Sequence, residues 1–353
     1  MSTDSPTRAT VLISADPDYL GAAAAELRAT YPGATVHPFG PDAARVTGLP
    51  ADLTAIAEQF RTRPVVFVRH LMAERTLLAT GAVRRDKRAV SKAVLDLLEG
   101  ESAPTANGET DPALALQVWV SGESPLQYGT EELWHHLADE LGRRGTTVRR
   151  SGTARTLGLC IGTDGVSVGL NEPLPSYADW PGGRIRLRKD PDQVSRAEFK
   201  LEELLALGVI ELPADGLAVD LGAAPGGWTR ILRRAGLPVV AVDPGALDDR
   251  LAGDPGITHV ATTAGPFLAR VGDPLAVVVN DMRMIPAMSV ELMLMASRHV
   301  RPGGLGVMSL KLTPYHALET VDRALADLRQ AWEVVFVRQL YHNRNEAAVV
   351  LRR

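Results

Sequence analysis

"AVDLGAAPGGWTRIL", residues 218–232, is a short apolar run that reaches an acid and a glycine, turns through a proline and enters a helical pattern. In an open α/β sheet the first strand-to-helix turn faces the ligand, because ligands sit beyond the carboxyl ends of the strands where the topology switches. Gly222, Gly226 and Gly227 let backbone approach a ligand and adopt conformations closed to residues with a Cβ. Three ligands compete for such a turn. A phosphate loop of the GxxxxGK[ST] kind needs a lysine where Trp228 and Thr229 stand. A GxGxxG dinucleotide turn needs a second glycine where Ala224 stands. S-adenosylmethionine carries no phosphate, and its methionyl ammonium wants a carboxylate and backbone carbonyls. Asp220, at the strand's end, offers the carboxylate. Asp243, which closes PVVAVD (238–243), lies where an acid accepts both ribose hydroxyls. The turn alone would merely build a fold; with both acids it points to the methyl donor.

The surroundings have the pattern such a turn requires. SRAEFKLEELLALG (195–208) opens as a capping box, with Ser195 placed to cap free amides and Glu198 to reach back. Short β-rich runs then alternate with helical ones: LAVDLG, PVVAVD, ITHVA, LAVVVNDM, LGVMSLKL, EVVFVRQL and AAVVLRR are the expected strands. That alternation implies a doubly wound, mostly parallel sheet. Only YHNRNE separates the last two strands, too short for a helical crossover, so they should be antiparallel. Such an ending is uncommon among dinucleotide folds and common among methyltransferases.

The first half reads differently. TVLISA (10–15), PVVFVRHLMA (64–73) and LQVWVSG (116–122) read as strands, and residues 18–30, 49–60 and 129–145 as helices. LGLCIGTDGVSVGLN (157–171) reads as a hairpin turning at TDG, residues 100–112 as loop, and NEPLPSYADWPGG (171–183) as a linker. A chain of 353 residues implies two or three domains. Its lone cysteine, Cys160, lies in an apolar run, which fits a buried thiol and excludes a disulfide framework and a cysteine-based metal site. No apolar run approaches a membrane span and the N-terminus does not resemble a signal peptide, so a cytoplasmic protein is expected. The net charge of −4 argues against wholesale polyanion binding, but RRDKR (84–88), RRGTTVRR (143–150) and RIRLRK (184–189) concentrate basic residues before residue 190. One such run is most simply a solvated face; three make a basic surface, which phosphate contacts require.

A methyl donor needs an acceptor. Lys200 lies on the capped helix, Asp281 ends LAVVVND, Lys311 ends LGVMSLK and Glu346 begins the final strand. Each alone would be an ordinary surface charge. Two of them stand at carboxyl ends of parallel strands, so they should converge beside the glycine turn. Two lysines between two acids suit a hydroxyl acceptor, which must lose its proton as it attacks. Lys311 can take that proton only if neutral: burial and the Lys200 charge favour that form, Asp281 and Glu346 oppose it. A sulfonium leaves readily, so positioning in line supplies much of what is needed. Lys311 is therefore assigned as base or hydroxyl-orienting group, with Lys200, Asp281 and Glu346 aligning substrate and lysine.

SRAEFKLEELL, VDLGAAPGGWT, VVAVDPG, NDM, SLKL and RQLYHNRNEAAVVLRR together resemble the FtsJ-related Lys-Asp-Lys-Glu ribose 2′-O-methyltransferases. Within them the chain is most similar to bacterial enzymes that modify a cytidine of 23S rRNA and carry a THUMP-type RNA-binding domain ahead of the catalytic one. The motifs cover about residues 195–353, and RQLYHNRNE is the most specific; over 1–190 the likeness is mainly one of element order. The resemblance places the catalytic tetrad on Lys200, Asp281, Lys311 and Glu346. It places the methyl-donor site on Asp220, Gly222, Ala224, Gly226, Trp228 and Asp243, with Pro225 and Gly227 of the same turn, Thr263 and Asp281. Where the family tends to carry an acidic pair for the adenine amino group, HVATTAG leaves Thr262 and Thr263, weaker acceptors without charge. Asn280 and Ser309 also depart from the family pattern.

The expected fold is α/β: a Rossmann-like S-adenosylmethionine methyltransferase domain with an antiparallel last strand, behind an α+β THUMP- or ferredoxin-like RNA-binding region. The boundaries implied are an α+β subdomain at 1–80, a THUMP-like domain at 81–180, a linker at 181–194 and the methyltransferase at 195–353. The function implied is 2′-O-methylation of RNA, with free 23S rRNA as partner, no metal, no membrane and a monomeric chain. RRGTTVRR and RIRLRK are the candidate phosphate grips. A tRNA or small-molecule acceptor, or a retired RNA-binding or assembly factor with a vestigial pocket, are the alternatives; retention of both lysines argues against the last.

Overall fold

The structure, a computed structural model, describes residues 8–100 and 113–353. The chain divides into two units between Arg186 and Leu187. The loop expected at 100–112 lies, beyond Gly100, outside the described residues. Among the described residues no helix is long and apolar enough to cross a membrane.

The first unit runs β1 (Arg8–Ser14), α1 (Leu20–Thr30), β2 (Thr35–Pro38), β3 (Ala43–Pro50), α2 (Leu53–Thr62), β4 (His70–Ala79), α3 (Thr80–Val83), α4 (Lys87–Gly100), β5 (Ala113–Val120), α5 (Thr130–Gly142), β6 (Thr147–Arg149), β7 (Thr156–Gly162) and β8 (Gly165–Asn171). One eight-stranded sheet, in the order β2-β3-β1-β4-β8-β7-β5-β6, passes without a break through residue 80. The TDG hairpin is present, with Gly162 opposite Gly165 across the turn. Cys160 is fully buried, and burial pushes its thiol well above the ordinary range.

Three expectations need correction here. The strand expected at 64–73 begins only at His70, because Pro64 lacks an N–H and the amides of Val66 and Phe67 donate to the Glu26 carboxylate at 2.9 and 3.0 Å. The helix expected at 49–60 starts at Leu53, where Asp52 caps the amides of Thr54 and Ala55. The stretch read as a linker at 171–183 is tied down: Asp179 accepts from Gln117, Thr156 and the Gly152 amide, and the Gly182 carbonyl accepts from Ser14 at 2.7 Å.

The second unit runs α6 (Glu198–Ala206), β9 (Leu217–Leu221), α7 (Gly227–Arg234), β10 (Val239–Val242), β11 (Ile257–Val260), α8 (Ala264–Leu268), β12 (Leu275–Asn280), α9 (Pro286–Ser297), β13 (Val300–Lys311), α10 (Ala317–Leu328), β14 (Glu333–Arg338) and β15 (Glu346–Arg352). Its seven strands take the order β11-β10-β9-β12-β13-β15-β14, parallel as far as β13, with β15 antiparallel to both neighbours. The order reverses between β9 and β12, which places the topological switch beside the glycine turn. Trp228, Ile231 and Leu232 of α7 bury against Leu201 and Leu204 of α6 and Val277 and Val307 of the sheet. The capping box forms on both sides: Ser195 Oγ accepts from the Ala197 amide, and Glu198 accepts from the Ser195 amide at 3.2 Å. Glu198 is fully buried and paired with Arg230 at 2.7 Å, so the box also joins α6 to α7.

Candidate active site

The sheet delivers three of the four charged residues to one edge. Asp281 stands one residue past β12, Lys311 ends β13, and Glu346 begins β15 directly opposite Lys311 in the antiparallel register. Lys200 arrives from α6. Its Nζ donates to both Asp281 oxygens at 2.8 and 2.9 Å and pairs with Glu346 Oε1 at 2.6 Å. Lys311 Nζ donates to Asp281 Oδ1 at 3.1 Å and to Glu346 Oε2. The result is a closed ring in which cation and anion alternate.

No side chain of the ring is more than 21% exposed, so each charge depends on its neighbours to offset desolvation. At Lys200 burial is the largest single influence and pulls the pKa down. The attraction and hydrogen bonds of Asp281 and Glu346 outweigh it, and the pKa lies above the ordinary lysine value. Lys200 is thus a fixed cation through neutral pH.

Two supports of the ring escape a reading of the sequence alone. Asn280 is fully buried; its amide donates to Ser289 of α9 at 3.0 Å and its carbonyl accepts from the Met282 amide at 3.0 Å, which fixes the turn carrying Asp281. Glu203, one turn after Lys200 and 2% exposed, accepts from the amides of Tyr341 and His342, both at 2.9 Å, and contacts His342 Nδ1 at 2.7 Å. It clamps the β14–β15 loop to α6 and so holds Lys200 against Glu346. Ser309 is buried on β13, paired with Ala348.

Two carboxylates of different character flank the neighbouring turn, Asp220 in β9 and Asp243 just past β10. Asp243 accepts from the amides of Ala224 at 3.1 Å and Gly245 at 2.7 Å, which fix its orientation while it remains partly exposed. Asp220 is 2% exposed, and burial pushes its pKa up to about 7; the hydroxyl and amide of Thr229 oppose the rise, and the charges of Asp281 and Asp243 add to it. The glycines answer first to the chain itself. A Cβ on Gly222 (φ +75°) would lie 2.0 Å from Met282 Cγ, and one on Gly227 would lie 2.3 Å from Ser195 Oγ. Trp228 is buried in the core, its indole N–H donating to the Ala197 carbonyl at 2.8 Å, so only its backbone faces the turn. Pro225 is exposed on the turn, Gly226 opens α7 with φ +110°, and Thr263 is exposed just before α8.

The basic runs are unequally free. Arg143 and Arg144 pair with Glu140, Arg150 pairs with Glu131 and lies over the Trp134 ring, and Arg184 pairs with Asp42. In RRDKR, Lys87 pairs with Glu132, whereas Arg84, Arg85 and Arg88 are exposed without a carboxylate partner among the described residues. In RIRLRK, Arg186, Arg188 and Lys189 are likewise exposed with no ion pair among the described residues, so RRGTTVRR is the run most taken up by the chain's own acids.

Residues 193–301 match the model of the FtsJ-like methyltransferase family. The chain is 41% identical to the Ribosomal RNA large subunit methyltransferase M of Halorhodospira halophila (strain DSM 244 / SL1) over 177 residues, 49% of this chain and 51% of that one. It is 35% identical to the protein of the same name from Laribacter hongkongensis (strain HLHK9) over 202 residues, 53% of this chain and 56% of that one. It thus spans about half the length of the curated relatives it matches. Among solved structures, TrmN from Thermus thermophilus aligns with 98% of this chain at 15% identity and a TM-score of 0.39, a likeness too loose to bear on function.

Proposed function

We propose, from the match of residues 193–301 to the FtsJ-like methyltransferase family, that the chain transfers a methyl group from S-adenosylmethionine to a ribose 2′-hydroxyl of RNA, at a cytidine of 23S rRNA. The single observation that carries this reading is the alternating ring of Lys200, Asp281, Lys311 and Glu346 at the carboxyl edge of the sheet.

The residues present fit the methyl donor. A buried acid whose pKa is pushed up to about 7 is a site prepared for a cation, which suits Asp220 to the methionyl ammonium. Asp243, oriented by two amides, keeps lone pairs for the ribose hydroxyls. Backbone groups of Gly222 to Gly227 line the turn between them, with Thr263 toward the adenine. When bound, the donor supplies an electrophilic methyl on a sulfonium. Lys311, opposite Glu346, holds the 2′-hydroxyl in line. Its Nζ takes the hydroxyl proton only where that amine has first given up its own; as the ammonium of the ring it orients the oxygen while the proton leaves to solvent. Lys200 keeps Asp281 and Glu346 oriented about it. The first unit would supply the THUMP-like RNA grip expected at 81–180, since the site itself sees one nucleotide. Free rRNA as substrate, action as a monomer and a cytoplasmic setting complete the reading.

Labelled methyl donor given to the protein with unmodified total RNA tests it. Label should enter large-subunit rRNA at one position that becomes resistant to alkaline cleavage. Label in tRNA alone, or at an alkali-sensitive position, would overturn the assignment.

A further inference from the structure

Apolar side chains scattered singly over a surface need no explanation; a cluster does. Among the described residues, the large hydrophobic side chains that stand exposed are Ile285 (62%), Met288 (52%), Tyr315 (95%) and Tyr341 (40%). All four belong to the segments that carry the ring. Ile285 and Met288 follow Asp281 by four and seven residues, Tyr315 follows Lys311 by four, and Tyr341 precedes Glu346 by five. Four, five and seven residues of chain span at most about 14, 18 and 25 Å, which bounds how far each stands from its ring residue. Tyr341 is also anchored through its amide to Glu203 on the helix of Lys200. At 95% exposure Tyr315 does nothing for the core.

The charges of the same segments match one partner. Among the described residues no carboxylate pairs with the exposed Arg283 and Arg344, whereas Arg230, Arg233 and Arg250 of this unit are each paired with an acid. Flat aromatic faces interleaved with free guanidiniums suit a strand that alternates bases and phosphates. A nucleotide drawn out to present its ribose also loses base stacking, and an aromatic face restores it.

We propose that Tyr315 and Tyr341, bordered by Ile285 and Met288, form a platform on which bases of a single-stranded RNA segment stack while one ribose faces the tetrad, with Arg283 and Arg344 meeting its phosphates. This rests on the RNA reading above and adds to it the residues that hold the substrate.

The test uses the full chain and a fluorescein-labelled 12-nucleotide single-stranded RNA, with binding read by anisotropy and methyl transfer into total RNA measured in parallel. Tyr315→Ala and Tyr341→Ala should each weaken binding about tenfold or more, with donor affinity unchanged. Tyr315→Phe, which keeps the ring, should bind as wild type. A sugar–phosphate strand lacking bases should bind wild type and Tyr315→Ala equally. RNA binding unchanged in both alanine variants would overturn the platform and leave the patch to a protein partner. Wild-type protein that methylates no RNA would overturn the RNA reading instead, and wild-type protein that binds no single-stranded RNA would overturn the platform with it.

Discussion

Asp220 in β9 and Asp243 just past β10 flank the same glycine turn yet should fail in different ways. Asp243→Ala removes an oriented carboxylate, and methyl-donor binding measured by calorimetry should weaken by about 1.5–3 kcal/mol, the value of a charged hydrogen-bond pair. Asp220 couples binding to pH. Its folded pKa of about 7 lies above the ordinary 3.8, so the native state holds that proton more tightly than the unfolded chain between those values. Stability from this group is full below pH 3.8 and is lost as pH rises through about 7. Asp220→Asn should therefore be more thermostable than wild type at pH 8, show no such gain at pH 4, and lose donor binding. Wild-type donor affinity should rise from pH 5.5 to 7 as the carboxylate ionises; a flat profile would remove Asp220 from the ammonium site. The carboxylates were legible because each closes an apolar strand. The raised pKa of Asp220 was not, since it depends on burial and on Asp281, 61 positions away in the sequence.

At the scale of elements, α6 and the β14–β15 loop decide whether the ring closes. Glu203→Ala strips the acceptor from two backbone amides and should cost about 1–3 kcal/mol in urea unfolding. If Glu203 also positions Lys200, kcat should fall further than stability explains while donor affinity stays within twofold; equal kcat would reduce it to a structural clamp. Alternation of apolar runs foretold the succession of strands along the second unit, and the short YHNRNE connection foretold the antiparallel pair β14–β15. In the first unit β3, AARVTGLP, escaped notice because Gly48 and Pro50 punctuate it like a loop, yet it pairs with β1 along its length. The displaced start of β4 has a partner forty residues away in Glu26, which no local window contains. Local patterning shows where backbone is able to form a strand; distant acceptors decide where it does.

Across the whole molecule, the proposed RNA reading asks an acidic chain to meet a polyanion through local surface. Exposed ion pairs are weak and screened by salt, but an arginine already paired has less to gain from a phosphate. Among the described residues Arg84, Arg85 and Arg88 have no such partners, unlike Arg143, Arg144 and Arg150. Replacing the first three with alanine should weaken RNA binding and reduce the log–log salt slope by about 2–3, with donor affinity intact. Replacing the second three should change the slope less. Equal slopes for both triple variants would place the grip elsewhere.

The account stands on Lys311 and its three partners meeting a ribose oxygen. The most direct measurement is mass spectrometry of nucleosides from unmodified rRNA incubated with donor carrying a deuterated methyl group, using wild type and Lys311→Ala. Wild type should yield 2′-O-methylated cytidine bearing the label, and Lys311→Ala should yield none while binding donor as tightly. Label on a base, or wild-type yield from Lys311→Ala, would contradict it.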